Sequence, residues 1–178
     1  MIRLLAAPLA ALVAAVMPAA PVLARTAAPP PARPVPASLY SGRWYELART
    51  PNARQRGCEA PWSEFQAFDG RSFTLRESCR QGSIGGRERL FTTRAAIVPG
   101  TASEKFKMSF LGGLVHQEFW ILDRADDGSW AIMATPGGNY VWLLCRRASL
   151  SPPALASLVG RLKGLGYANL EFPQQPRQ

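Results

Sequence analysis

"SGRWYELART", residues 41–50, places a bulky indole two positions after a glycine, at the head of a run that alternates apolar and polar side chains. Alternation of that kind is the mark of a half-buried β-strand. The indole at its start needs a place to go, and the rest of the chain says where.

From Arg43 onward, short β-rich runs alternate with turn signals. Arg43–Thr50 meets Pro-Asn. Trp62–Phe68 meets Asp69-Gly70, a strong hairpin dipeptide. Ser72–Arg80, Arg87–Val98, Lys105–Leu111, His116–Arg124, Ser129–Thr135 and Asn139–Arg147 follow, each closed by glycine, proline or aspartate except the last. No helical crossover separates them, so the pattern is an all-β antiparallel meander, a sandwich or an up-and-down barrel. A meander has two unpaired edges unless it closes, and eight strands close around an interior that side chains fill or that holds one small ligand. A helix follows. Ser151 is its expected N-cap and Pro152 its first residue. Leu155, Leu158, Val159, Leu162 and Leu165 form an apolar stripe that must pack on the outside of the sheet, and Gly164 or Gly166 ends it. Tyr167–Phe172 reads as a short final strand.

The N-terminal residues differ from this pattern. Residues 1–24 carry Arg3, an apolar run and a small-residue end at Ala24, the signature of a cleaved export signal. Residues 25–37 (RTAAPPPARPVPA) read as a stiff proline-rich linker that forms no core. The folded unit is therefore expected over residues 38–174. The chain has 178 residues and a net charge of +9, nearly all from arginine since only three lysines occur. Loss of Arg3 with the leader takes +9 to +8. That balance favours acidic partners, an anionic ligand or an anionic membrane surface among them. Export argues against nucleic acid, and the expected location is periplasmic or secreted.

Three cysteines allow three pairings, and export permits disulfides. A two-residue loop at Asp69-Gly70 sets Phe68 opposite Arg71 and Ala60 opposite Cys79. Cys58 is then two residues along, and a Cys58–Cys79 bridge is geometrically cheap. Cys145 remains, expected as an inert buried thiol.

At this point the residues resemble a known family. Gly42-Arg43-Trp44-Tyr45-Glu46 is similar to the first lipocalin signature. Leu122-Asp123-Arg124 sits where the second lies, and Leu144-Cys145-Arg146 where the third does. The stretch Phe119–Arg146 looks especially like bacterial and apolipoprotein-D-like members. The resemblance implies a closed eight-stranded barrel with an outer C-terminal α-helix. It also implies that Trp44 plugs the closed end with Arg146 laid across it, that Gly42 belongs to the same signature, and that Asp123 fixes the neighbouring turn. Many bacterial relatives carry a lipid-anchored N-terminal cysteine, and no cysteine precedes residue 58 here.

The same resemblance implies a carrier of a small lipophilic or amphipathic ligand, of fatty acid or lysophospholipid type. With strand one rising from the closed end, the loops after strands one, three, five and seven form the mouth. Arg54, Arg56, Arg80, Arg87 and Arg89 then form a basic rim for an anionic head group. Met108, Phe110, His116, Phe119, Met133, Tyr140 and Trp142 are the expected cavity lining. Glu46 shares the phase of Trp44 and needs an interior partner. A lone histidine without cysteine or carboxylate at ligand spacing argues against a metal, and no cofactor is implied. Two other readings remain. An enzyme on this barrel would use Cys145 or a Glu46–His116 pair. A filled-barrel interaction or inhibitor module would need a plugged interior and an exposed apolar patch, which the sequence does not announce.

Overall fold

The computed structural model describes residues 27–176. The leader expected over residues 1–24 lies outside them. Eight antiparallel strands close into one barrel in sequence order: β1 (Gly42–Arg49), β2 (Cys58–Gln66), β3 (Ser72–Gln81), β4 (Glu88–Ile97), β5 (Lys105–Phe110), β6 (Val115–Arg124), β7 (Trp130–Ala134) and β8 (Val141–Cys145). The β1–β8 ladder, with Tyr45 opposite Cys145, removes both edges.

Side chains of alternating phase build two cores. Inside, Tyr40, Trp44, Phe65, Phe73 and Phe106 fill the closed end. The Tyr40 ring stacks on Phe73 at 5.0 Å and meets Phe106 edge-on at 5.9 Å. Each such side chain contributes on the order of 1.5–3 kcal/mol by leaving water. Outside, helix α1 (Pro152–Gly164) lays Leu158 and Leu162 on Ala48, Ile132, Leu143 and Cys145. Gly166, at φ +89°, ends that helix, and the Tyr167 N–H returns to the Leu162 carbonyl at 2.9 Å.

The proline-rich segment departs from expectation. Its described residues are not a free linker. The N–H groups of Ala28, Ala32 and Val35 donate to the carbonyls of Pro136 (2.7 Å), Leu122 (2.9 Å) and Ala102 (3.0 Å). Val35 is buried in the inner core and Ala28 in the outer one. An extended proline-rich backbone leaves its remaining N–H groups free for such bonds, so stiffness and packing are compatible.

The β2–β3 register is also shifted. Phe65 faces Leu75, which would set Phe68 opposite Ser72 rather than Arg71. A bulge between Glu59 and Trp62, with Ala60 at φ +48°, removes the offset. The Cys58–Cys79 disulfide forms with Cα atoms 5.4 Å apart. The expected final strand over Tyr167–Phe172 reduces to a single bridge, Arg49 to Glu171.

That bridge fills a gap. Strands β1 and β2 pair only from Gly42–Phe65 to Tyr45–Trp62 and then part. The C-terminal tail enters the opening. Arg49 and Glu171 exchange backbone bonds at 3.0 and 2.8 Å, the Ala60 N–H donates to the Gln174 carbonyl at 2.7 Å, and the Gln175 amide donates to the Glu46 and Pro61 carbonyls, both at 2.9 Å.

Candidate functional site

Above the aromatic plug the barrel holds a cavity of about 670 Å³. That lies inside the roughly 300–1,000 Å³ range of small-molecule sites. The interior is therefore not filled, as an interaction module would require.

One wall is apolar. Met108 and Phe110 from β5, Phe119 from β6, Met133 from β7, and Tyr140 and Trp142 around the start of β8 line it. Phe119 and Trp142 rings lie 5.8 Å apart. His116 is not part of this wall. It pairs with Ser109 across the β5–β6 ladder, where Met108 pairs with Gln117, and its Nδ1 lies 3.2 Å from the Ser109 hydroxyl. The ladder is regular from Val115 to Trp120, so residues 116 and 119 must face opposite sides. Gln117 takes the interior position instead.

The opposite wall, from β1 to β3, is polar. Glu46, Ser63 and Glu77 line it together with Asn52 and Gln55 of the β1–β2 loop. Glu46 finds its partner on its own strand. A bulge between Glu46 and Ala48 turns Arg49 inward as well. The Arg49 Nη1 donates to Glu46 at 2.7 Å, its Nη2 to the carbonyls of Gln55 and Cys58 at 3.1 Å, and its Nε to Glu171. Gln55 closes the network, donating to Glu46 at 2.9 Å and accepting from the Trp142 indole at 2.9 Å. Burial pushes the Glu46 carboxyl up while Arg49 pulls against that. Burial opposes the Arg49 charge too, but its carboxylate partners more than offset it. Among the described residues Glu77 has no cation within ion-pair distance. Burial, with the Glu46 charge nearby, pushes its carboxyl up to about 7, and a Ser63 hydrogen bond pulls back only in part.

The expected rim divides. Arg54 and Arg89 reach the cavity mouth. Arg56 and Arg87 are exposed at the same end but do not line the cavity. Arg80 turns away and donates to the Gly86 carbonyl at 3.2 Å.

The closed end is held by cations. The Arg146 guanidinium lies 3.7 Å from the centre of the Trp44 ring and donates to the carbonyls of Ser41 (2.6 Å), Arg43 (3.1 Å) and Ser38 (3.2 Å). Gly42 passes beneath at φ +66°, and a Cβ there would meet Arg146 at 3.4 Å. Asp123 accepts from the Arg124 N–H at 2.8 Å, from Arg33 at 3.2 Å and from Arg161 at 3.1 Å. It so joins the turn, the N-terminal segment and α1.

The catalytic candidates read from the sequence do not come together in the cavity. Cys145 faces the helix in the outer core, and burial pushes its thiol up to about 12, away from the reactive thiolate. Glu46 points in and His116 out, so that pair does not assemble.

A closed up-and-down barrel around a cavity with one polar and one apolar wall has the architecture of a small-molecule-binding barrel. The chain belongs to the lipocalin family: the lipocalin-like domain model matches residues 35–176. It is 27% identical over 130 residues to the outer membrane lipoprotein Blc of Vibrio cholerae, covering 72% of this chain and 74% of that protein. It is also 27% identical to temperature-induced lipocalin-1 of Arabidopsis thaliana, covering 78% and 77%. Insecticyanin of the tobacco hornworm Manduca sexta shares the fold at a TM-score of 0.66 and 18% identity, covering 83% and 85%.

Proposed function

We propose that the barrel binds and carries one single-chain amphiphile with an anionic head, of fatty acid or lysophospholipid type. The observation that carries this reading is the cavity itself: apolar along β5–β8 and opening beside Arg54 and Arg89. The chain lies on Met108, Phe119, Met133 and Trp142, and the head stays at the mouth. Glu46 and Glu77 support that orientation, because a second anion placed beside them would be repelled and desolvated. The Cys58–Cys79 bridge supports work in an oxidising compartment, periplasmic or extracellular.

The test is titration of lipid-stripped protein with lauric acid, read by tryptophan fluorescence. Trp142 touches the cavity and Gln55, so saturable one-to-one quenching is expected, largely lost in Trp142→Phe. Unchanged fluorescence and unchanged melting temperature in folded protein, with lauric acid and lysophosphatidylglycerol alike, would refute the carrier.

A further inference from the structure

The mouth end carries an apolar surface that the sequence did not announce. The β5–β6 hairpin turns through Leu111-Gly112-Gly113-Leu114, and the Leu114 N–H donates back to the Leu111 carbonyl at 3.4 Å. Turn positions usually hold polar residues. Here Leu111 is 75% exposed and Leu114 86% exposed, with Val115 beside them. Leu90 and Phe91 on β4 and Ile84 in the β3–β4 loop are also exposed. Phe91 stacks on Phe110 at 5.6 Å, which joins this surface to the cavity wall.

The same end is basic. Arg54, Arg56, Arg87 and Arg89 stand exposed in its loops and strand ends. Among the described residues none of them has a carboxylate within ion-pair distance. Protruding leucines set among unpaired arginines match a surface that is apolar beneath and anionic above. A protein partner would need a concave counterpart for the hairpin tip, whereas a bilayer yields to a convex one.

We propose that the open end docks reversibly on an anionic lipid bilayer, with Leu111 and Leu114 entering the interface and Arg56 and Arg87 on the head groups. The cavity mouth then faces the membrane. If the carrier reading above holds, an amphiphile passes between bilayer and barrel without crossing water, but the docking itself does not depend on it.

Sedimentation of lipid-stripped protein with vesicles of phosphatidylcholine and phosphatidylglycerol, 3:1 by intent, tests this with no cargo present. Binding is expected to the mixed vesicles, weakened by salt, and weakened at least tenfold in Leu111→Ser/Leu114→Ser. Arg56→Gln/Arg87→Gln is expected to lose several-fold on the mixed vesicles and nothing on pure phosphatidylcholine. These positions are exposed and outside the cavity lining, so melting temperature and lauric acid affinity should be unchanged. Equal sedimentation of wild type and the leucine variant overturns the proposal. So does a concentration-dependent dimer that the leucine variant abolishes, which would assign the patch to a second copy. Vesicle binding without lauric acid binding would leave docking in place and remove only the carrier.

Discussion

Glu46 and Arg49 lie three residues apart on one strand and still face the same interior, joined at 2.7 Å. Regular alternation would put them on opposite sides of the sheet. The bulge between Glu46 and Ala48 spends the extra residue, so that Leu47 and Ala48 both go to the outer core. A charged pair inside a barrel is a weak source of net stability, but breaking one is costly.

Arg49→Met leaves the Glu46 carboxyl buried without its cation and removes donors from the Gln55 and Cys58 carbonyls. The expected loss is about 3–5 kcal/mol. Glu46→Gln/Arg49→Met should lose less than Arg49→Met alone, since the carboxylate then left without Arg49 is the part-exposed Glu171 and not the buried Glu46. Urea unfolding of both variants decides it. A double variant as unstable as the single one would mean that Arg49 acts through packing.

The tail depends on the same arginine. Truncation after Leu170 removes the backbone partners of Arg49 and Ala60 and the Gln175 amide from the Glu46 carbonyl. Stability should fall by about 1–3 kcal/mol, in keeping with a few lost hydrogen bonds. Amide exchange should accelerate at Arg49 and Ala60 and stay slow on β3 and β6. Unchanged exchange at those two amides would show that the split between β1 and β2 does not need the tail.

These features mark the limit of what the chain shows unaided. The barrel was legible because strand alternation, turn residues and the Trp44–Arg146 pair all act within short windows or through recognisable motifs. So was the apolar cavity wall, apart from His116, which a strict count of alternation from Phe119 already places outside. The polar wall was not legible. Gln55 and Glu77 reach the cavity through a loop and a neighbouring strand's register, and Arg49 backs Glu46 through a bulge that residue types alone do not reveal. Nor do they reveal that a proline-rich segment lies on the barrel, since the same composition also makes free linkers.

Glu77 gives the fold a pH dependence with a definite sign. Its ordinary value is 4.5 and its value in the barrel is about 7. The folded protein therefore holds this proton where the unfolded chain has released it. The contribution is fully present below the unfolded value and is lost as pH rises through about 7. Wild type should melt at a lower temperature at pH 8 than at pH 5. Glu77→Gln, which cannot ionise, should lose most of that difference. An equal pH slope in the two proteins would assign the dependence to other groups, Glu46 first.

Arg54 and Arg89 make the head-group assignment testable by charge alone. Both reach the cavity mouth and both are exposed, so each contact with a carboxylate should be screened and worth about 0.2–1 kcal/mol. Arg54→Gln/Arg89→Gln is expected to weaken lauric acid binding by about twofold to thirtyfold across the pair. Dodecanol has the same chain without the charge, so its affinity should hardly change. Raising salt should reduce lauric acid affinity in wild type and have little effect in the variant. The three results form one argument. If the alcohol weakens as much as the acid, the arginines shape the mouth and do not read charge. If the acid alone weakens but salt has no effect in wild type, the arginines meet the head where solvent ions do not screen the contact, inside the mouth rather than on its rim.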